Sequence, residues 1–287
     1  MCISVDDLPV VPYGIEEEGH ESEIVDGFLK AFEKHGVQAM GFVNEGKLYS
    51  NQALDSSRLS LLEKWVDSGH DLGNHTYSHM NYHRNSIQDF GADILKGEKH
   101  IKPLASRYGK EVKYFRHPYL RSGADEESSK ALLRFLKENG YQEAPVTIDN
   151  QEYLFALAYA RAAKKKDTAL MEKIGESYLT YMMEQLGYYE KASMDLLGRN
   201  MAHTLLIHAN YLNAQYLDQL LALFKERGYT FISQEEVLKD PAYQMEVTKF
   251  GDWGISWIQR WGMSKGLTGD FFKGEAVTPA FILEMTN

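Results

Sequence analysis

Residues 2–7 are CISVDD, a short strand-like run that ends in two adjacent carboxylates. A brief apolar run bounded by polar residues predicts a buried strand over residues 2–6. Because neighbouring strand residues point to opposite faces, both carboxylates can reach one site only where the strand ends and the chain turns. Pro9 favours a turn there. The stretch therefore predicts a first strand that delivers Asp6 and Asp7 to a single site.

Similar apolar runs recur along the chain and alternate with amphipathic stretches. The strand candidates are residues 2–6, 38–43, 70–75, 112–116, 145–149, 203–208 and 229–233. The helical patterns cover residues 22–35, 57–68, 86–107, 126–139, 214–227 and 234–239. This alternation favours an α/β fold with a mostly parallel sheet and helical crossovers. About seven such units predict a barrel or an incomplete barrel.

Two segments depart from this rhythm. Residues 151–200 contain helical patterns without a strand, and we interpret them as a helical insertion of two or three helices that covers the barrel. Residues 241–287 are poorly periodic, and we expect a C-terminal extension packed on the barrel. Within it, Trp253, Trp257 and Trp261 have the spacing of one helical face. That face is expected to pack on the core, with a sugar-stacking platform as the alternative.

Composition excludes several classes of protein. The 287 residues include 31 Lys and Arg against 41 Asp and Glu, a formal net charge of −10. An acidic chain of this kind disfavours nonspecific binding to nucleic acid or to anionic membranes. The single cysteine, Cys2, excludes an intrachain disulfide. No apolar run approaches the ~18 residues that span a membrane, so we expect no transmembrane segment.

The predicted first strand begins almost directly after Met1. We therefore expect that a leader has been removed, which would make the protein periplasmic or secreted. Without such a leader it would be cytoplasmic. The sequence leaves the oligomeric state open.

A second group of polar residues follows the third strand candidate. His75 and His79 are spaced i, i+4, so on a helical turn they would share a face and bind one metal ion. Neutral imidazole suits zinc and similar divalent ions. With Asp7, the pair makes a set of two histidines and one aspartate that leaves a coordination position for water. Catalytic zinc usually keeps such a position.

Further polar residues end other strand candidates. Arg116-His117-Pro118-Tyr119 follows the fourth, and an arginine beside a carboxylate would orient it and lower its pKa. Residues 149–153 follow the fifth, and His208 ends the apolar run 205–208. A histidine in that position is either a general acid or a satisfied core residue. All of these residues fall at the carboxyl ends of predicted parallel strands, where barrel active sites lie.

In this order, the five segments resemble the motifs of polysaccharide deacetylases of the NodB-homology type, carbohydrate esterase family 4. Residues 4–7 resemble the family's Thr-Phe-Asp-Asp, with Val5 in place of Phe. Residues 75–79 match His-Ser/Thr-x-x-His, and residues 116–119 match Arg-x-Pro-Tyr. Residues 149–153 resemble Asp-x-x-Asp-Trp, and residues 206–208 resemble Leu-x-His. The resemblance covers roughly residues 1–240, insertion included, and implies a distorted (β/α) barrel.

The resemblance also implies a role for each matching residue. It assigns the metal ligands to Asp7, His75 and His79, and the general base to Asp6, with Arg116 as its partner. Tyr119, preceded by Pro118, would offer its backbone N–H to the oxyanion and shape the substrate site. His208 would be the general acid that protonates the leaving group. Glu152 stands where the family usually has an aspartate that orients this histidine, and Tyr153 replaces the usual tryptophan.

These roles imply a metal-dependent hydrolase that removes acetyl groups from a polysaccharide or oligosaccharide. Water would attack the acetyl carbonyl with an aspartate base and a histidine acid. The expected partner is an acetylated glycan, and we favour N-acetyl over O-acetyl groups. Zn²⁺ is the favoured metal, with Co²⁺, Ni²⁺ and Mn²⁺ left open. The alternatives are a non-catalytic carbohydrate-binding protein on the same fold and a hydrolase of non-sugar amides or cyclic imides.

Overall fold

The computed structural model describes all 287 residues. The strands are β1 (Cys2–Leu8), β2 (Met40–Val43), β3 (Tyr49–Ser50), β4 (Ala53–Leu54), β5 (Asp71–Asn74), β6 (Tyr114–Phe115), β7 (Gln142–Glu143) and β8 (Thr204–His208). The helices are α1 (His20–His35), α2 (Ser56–Asp67), α3 (Ile87–Lys96), α4 (Ile101–Arg107), α5 (Glu126–Glu138), α6 (Glu152–Lys164), α7 (Thr168–Leu197), α8 (Tyr211–Glu226), α9 (Gln234–Val237), α10 (Trp257–Ser264) and α11 (Ala280–Thr286).

Six strands form one parallel sheet in the order β7-β6-β5-β2-β1-β8. Strand β1 lies between β2 and the edge strand β8 and is almost completely buried, as expected for a parallel strand with both faces covered. Its register aligns Asp6 with His208 on β8. On its other side, Val43 of β2 aligns with Asn74 of β5, which aligns with Phe115 of β6. The carboxyl ends of five neighbouring strands therefore meet at one edge, and the predicted α/β class is confirmed.

Two of the seven strand candidates do not form strands. The candidate at 145–149 makes only the single bridge Ile148–Leu205. Thr147 and Ile148 bond to β8 around this bridge, and the C-terminal segment bonds the rest, since Trp257 N–H donates to Val146 O at 2.8 Å. The candidate at 229–233 joins no sheet, and its backbone bonds the start of β1 only through Met1, where Ile232 N–H donates to Met1 O at 3.0 Å and the terminal amino group donates to Thr230 O at 2.7 Å. The sheet is thus an open half-barrel of six strands, with β3 and β4 forming a separate hairpin that the sequence analysis missed.

The interval 151–200 contains the two helices α6 and α7. They pack on each other and on α8, beside β8. In the C-terminal segment, α10 packs on α7 and α11 packs on α6. The division of the chain at residue 240 stays a prediction. None of the helices combines the length and the apolar character needed to cross a lipid bilayer.

Only two of the three tryptophans that were predicted to share one helical face lie on a helix. Helix α10 begins only at Trp257, because Ser256 caps it by accepting a hydrogen bond from Ile258 N–H at 3.2 Å. Trp257 and Trp261 are buried, as a core-facing stripe requires, whereas Trp253 lies outside the helix.

Candidate active site

The two carboxylates of β1 reach the same site through an irregularity inside the strand. The pairing of β1 with β2 shifts between Val5 and Leu8, and Asp7 has a left-handed φ of 67°. Such a bulge places one extra residue in the strand and redirects its side chain. Asp6 and Asp7 therefore both face the carboxyl edge of the sheet, although the strand continues to Leu8. The two carboxylates are therefore brought together by a bulge, and not by the predicted turn at the strand's end.

The segment from His75 to His79 is an irregular loop, so the prediction of a helical turn is wrong. Left-handed φ values at Thr76 (66°) and His79 (57°) bend the chain back on itself. Thr76 N–H donates to Asn74 Oδ1 at 2.7 Å, and Ser78 N–H donates to Asp93 Oδ2 at 3.0 Å. These bonds, rather than helical periodicity, bring the two imidazole rings to a centroid separation of 4.9 Å.

Asp7, His75 and His79 form a candidate metal triad. Asp7 Oδ1 lies 3.6 Å from His75 Nε2 and 3.7 Å from His79 Nε2, and the three ligand atoms all lie within 4.8 Å of one another. Tetrahedral ligands with metal bonds of about 2.0–2.1 Å would lie about 3.3–3.4 Å apart. Asp7 Oδ1 is also buried without a hydrogen-bond partner, which is costly unless a cation binds it. The residues present therefore fit a divalent metal.

The protonation state of His75 suits this role. Its Nδ1 lies 2.8 Å from Arg116 O, and because a carbonyl only accepts, Nδ1 carries the proton. The Nε2 lone pair is then directed toward Asp7. Burial, followed by the neighbouring His79, lowers the pKa of His75 well below its ordinary value, so the ring is neutral. Orientation of a ligand histidine through its second nitrogen is the usual arrangement in metal sites.

Lys47 contacts Asp7 as well, which the sequence analysis did not predict. Its Nζ lies 3.4 Å from Asp7 Oδ2 and donates to Asp7 O at 3.0 Å. Burial alone would raise the pKa of Asp7, but Lys47, His79 and His75 outweigh it and lower that pKa below its ordinary value. Asp7 is therefore ionised, with Oδ2 paired to Lys47 and Oδ1 free for a cation.

Asp6 forms a buried ion pair with Arg116 from the end of β6. Arg116 Nη1 lies 3.3 Å from Asp6 Oδ1, and both side chains are almost inaccessible to solvent. The guanidinium is held in place because Nη2 donates to Ser4 Oγ at 3.0 Å and Nε donates to Ala144 O at 2.9 Å. Burial raises the pKa of Asp6 to about 6, against the opposing effect of Arg116. A carboxylate of this kind is able to accept a proton near neutral pH.

His208 and Glu152 form a second pair on the other side of β1, with His208 partly exposed to the groove. His208 Nδ1 lies 2.8 Å from Glu152 Oε2, and Glu152, the first residue of α6, is completely buried. Glu152 Oε1 accepts hydrogen bonds from the side-chain amides of Asn210 and Asn213. Burial alone would lower the pKa of His208, but Glu152 raises it to about 9. The imidazole is therefore protonated at neutral pH, with Nε2 free to donate.

The segment after Arg116 forms a tight turn at the edge of the site. Tyr119 and Leu120 are both left-handed, with φ of 57° and 52°. Leu120 N–H donates to His117 O and Arg121 N–H donates to Pro118 O, whereas Tyr119 N–H donates to no protein acceptor. Pro118 is buried and has no N–H, so its contribution is to shape the turn. The Tyr119 ring packs edge-on against His79, with centroids 4.4 Å apart.

These elements surround one groove of about 830 Å³. Its walls include Asp6, Asp7, His75, His79, Tyr119 and His208, whereas Arg116, Pro118 and Glu152 lie behind the wall. Tyr119 and Tyr153 stay about half exposed at the rim, at 55% and 45%. Every predicted site residue is thus in or directly behind the groove. The chemical roles given to them stay predictions.

The structure also adds residues that sequence reasoning missed. Asn210 and Asn213 lie at the start of α8, where an asparagine cap directly after His208 is a signal that could have been noticed. Lys47 follows β2 and meets Asp7 only through the fold, so no local pattern indicates it. Asp149, which the segment 149–153 had already brought to notice, lines the groove too, and burial raises its pKa to about 7.

The comparisons with known proteins agree with this architecture. A family model described as polysaccharide deacetylase matches residues 1–144. That range includes Asp6, Asp7, His75, His79 and Arg116 but ends before Glu152 and His208. No curated protein sequence matches the chain.

Several solved structures share the fold. A mutant of a CE4 family pseudoenzyme from Bacillus anthracis, with restored enzymatic activity, is 17% identical with a TM-score of 0.51; the match covers 83% of this chain and 66% of that one. A peptidoglycan N-acetylglucosamine deacetylase bound to 4-naphthalen-1-yl-N-oxidanyl-benzamide is 17% identical with a TM-score of 0.50, covering 82% and 86%. The CE4 domain of a multidomain xylanase from the hindgut metagenome of Trinervitermes trinervoides is 18% identical with a TM-score of 0.50, covering 90% and 97%.

At these identities the structural likeness concerns the fold, and this chain spans 66% of the length of the first of these structures. The family model carries more weight, because it matches half of the sequence and includes the residues at three of the strand ends. We conclude that the chain belongs to the polysaccharide deacetylase family.

Proposed function

We propose that the protein is an active, metal-dependent deacetylase that removes acetyl groups from an acetylated polysaccharide or oligosaccharide. One observation carries this proposal: the unpartnered Oδ1 of Asp7 faces two imidazole nitrogens in a groove that also holds both Asp6 and His208. A carbohydrate-binding protein that has lost activity would have no need of a buried acid and a buried base beside a ligand set. Pseudoenzymes do occur on this fold, so the activity itself is the decisive measurement.

The base half of the reaction rests on Asp6. When bound, a divalent metal polarises the acetyl carbonyl and lowers the pKa of a water molecule. Asp6 accepts the proton of that water as its oxygen forms a bond to the acetyl carbon. Arg116 fixes the carboxylate through Nη1 so that it is aligned before the reaction begins. The unpartnered N–H of Tyr119 is available to the carbonyl oxygen as that oxygen becomes negative.

The acid half rests on His208. Its Nδ1 is held by Glu152, which leaves the Nε2 proton for the leaving group as the bond between the acetyl carbon and that group breaks. The products are acetate and a free amine or hydroxyl group. An amine leaves only once it is protonated, and a histidine that is protonated at neutral pH meets that need. This favours N-acetyl over O-acetyl groups, and N-acetylglucosamine within a glycan is the first substrate to test.

Zn²⁺ is the metal we propose. Two imidazoles and one carboxylate, with a position left for water, are a common ligand set for catalytic zinc. Co²⁺, Ni²⁺ and Mn²⁺ accept the same donors, and the order of affinity alone does not select among them.

The experiment that tests the proposal is release of acetate from a panel of substrates. The panel contains chito-oligosaccharides, peptidoglycan fragments, acetylated xylan and a small aryl ester, each assayed with metal-stripped protein and again after Zn²⁺ is added. Release that requires the metal from any acetylated sugar is expected. No release from any substrate by protein that binds one metal per chain would contradict the proposal and favour a binding protein or a hydrolase of non-sugar amides.

The pH dependence of turnover tests the role of Glu152. Because His208 must donate a proton, kcat is expected to fall as pH rises through the pKa of His208. Glu152 raises that pKa, so Glu152→Gln should move this alkaline limb to lower pH, by about 1–3 units for loss of a close opposite charge. The measurement is kcat across the alkaline range with saturating metal and substrate.

The chain offers a matched control for this variant. Glu143 pairs with His117, another histidine of the groove wall, at 2.6 Å. Glu143→Gln removes an equivalent charge from an equivalent pair and should leave the alkaline limb where it is. The assignment would be contradicted if the alkaline limb of the kcat profile stayed unchanged in Glu152→Gln, or if it moved equally in both variants. His208 would then not be the general acid.

A further inference from the structure

The Tyr119 turn is held from outside by the C-terminal segment. Two consecutive non-glycine residues in the left-handed region, Tyr119 and Leu120, form a conformation that persists only where its surroundings enforce it. Within the turn, the N–H groups of Leu120 and Arg121 donate hydrogen bonds to backbone carbonyls. The N–H of Tyr119 has no backbone acceptor. The orientation of the Tyr119 N–H therefore depends on the rest of the turn and on what packs against it.

Gly254 packs directly against the next peptide group of the turn, which joins Tyr119 to Leu120. A Cβ atom added at Gly254 would lie 1.8 Å from Tyr119 O, so only glycine allows the two backbones to approach so closely. The φ of Gly254 is not in the left-handed region, so glycine is required here for space and not for conformation. The carbonyl and the N–H of Tyr119 lie in successive peptide groups that are joined at its Cα, so a contact that limits movement of the carbonyl also restricts the turn that presents the N–H.

Arg260 of α10 secures the next residue of the turn. Its side chain is completely buried, and Nη2 donates to Leu120 O at 2.5 Å. The guanidinium is itself fixed, since Nε donates to Ile255 O at 3.2 Å and the group lies 4.9 Å from the centroid of the Trp257 ring. Arg260 therefore connects the turn to the helix that packs on α7.

Asp252 connects the same segment to the loops beside the turn. Its carboxylate lies 3.1 Å from His83 Nδ1, 2.6 Å from Arg84 Nη2 and 3.5 Å from Arg121 Nη1. His83 Nε2 in turn accepts a hydrogen bond from Gly123 N–H at 3.1 Å. The turn is thus supported on both of its sides by residues far away in the sequence.

We propose that residues 252–260 position the Tyr119 amide as the oxyanion donor of the site, with Gly254 and Arg260 as positioning residues. This inference rests on the proposed function, because the oxyanion exists only if the protein hydrolyses an acetyl group. It gives the C-terminal segment a part in turnover although none of residues 252–260 is among the proposed catalytic or ligand residues. The segment acts through the backbone of Tyr119.

Gly254→Ala tests this inference, with Gly187→Ala as the matched control. A Cβ at Gly187 of α7 would meet no atom within 4 Å, so that variant should behave as the unaltered protein. Gly254→Ala should lower kcat about 10- to 100-fold, as expected for a displaced oxyanion donor, with KM and bound metal unchanged. Backbone amide exchange, followed by mass spectrometry, should become faster across residues 117–121 and stay unchanged in β1 and β8.

Arg260→Lys and Arg260→Met provide a second comparison. Lysine is able to donate a hydrogen bond to Leu120 O, whereas methionine has no donor. We therefore expect a higher kcat in Arg260→Lys than in Arg260→Met. Three results with Gly254→Ala would each overturn the inference. They are an unaltered kcat, unchanged amide exchange across residues 117–121, and a loss of kcat that is accompanied by loss of the bound metal. If the unaltered protein released no acetate from any substrate, the proposed function would fail, and the exchange measurement would still decide whether residues 252–260 hold the turn.

Discussion

Replacement of His75 by alanine is expected to abolish retention of the metal. His75 supplies one of three ligand atoms and is the most buried of the three residues, with its Nε2 aligned by the bond from Nδ1 to Arg116 O. Loss even of a partner of a ligand typically costs 10- to 100-fold in metal affinity, so loss of the ligand itself should cost more than about 100-fold. The measurement is the metal content per chain after gel filtration, by atomic absorption.

His35→Ala is the control for this variant. His35 pairs with Asp218 at 2.7 Å where α1 packs on α8 and does not line the groove, so its loss should leave the metal content unchanged. A His75→Ala protein that still carried one metal per chain would show that the ion binds elsewhere. The proposed ligand set would then be wrong, whatever the activity of the variant.

Replacement of Asp6 by asparagine is expected to abolish turnover while the metal is retained. Asparagine has the shape of aspartate and still accepts a hydrogen bond from Arg116, but it does not take a proton from water. Loss of a general base typically costs about 10²- to 10⁴-fold in rate. Metal content should be unchanged, because Asp7 and the two histidines are intact. The measurement is kcat for acetate release from the best substrate of the panel.

Asp149→Asn is the matched control for this second variant, because Asp149 is the other carboxylate of the groove whose pKa burial raises. It should keep most of the activity if Asp6 is the base. Asp6→Asn also leaves Arg116 as a buried charge without its counterion, which destabilises a protein. Thermal melting of both variants therefore accompanies the assay. Full turnover by Asp6→Asn, or equal loss in both variants, would contradict the assignment of the base.

Much of the candidate site was accessible from the sequence because strand ends are local features. Apolar runs that end in Asp6, Arg116 or His208 indicate where each strand stops, and parallel strands bring such ends to one edge. The sequence analysis was less successful with backbone detail. It assigned His75 and His79 to a helical turn, whereas hydrogen bonds to Asn74 and Asp93 form an irregular loop. Spacing along the chain does not distinguish the two.

Contacts between distant segments were not accessible at all. Lys47 is brought to Asp7 by the packing of the chain after β2 against β1, and no residue near Lys47 in the sequence indicates it. The same holds for Gly254, whose requirement is a clash with Tyr119 O that exists only once both segments have folded. The strand candidate at 145–149 failed for a related reason, since Trp257 N–H and the Ser256 hydroxyl bond to the carbonyls of Val146 and Thr147, which a neighbouring strand would otherwise take.

The sequence by itself determined the α/β class, the order of the polar strand ends and the family, because hydrophobic periodicity and short motifs depend on neighbouring residues. Only the tertiary structure decided how these groups work together. It placed the free oxygen of Asp7 between two imidazoles, buried Glu152 against His208 and closed the C-terminal segment over the Tyr119 turn. Such properties depend on distance, burial and charge in three dimensions, and these arise only when segments far apart in the chain pack together.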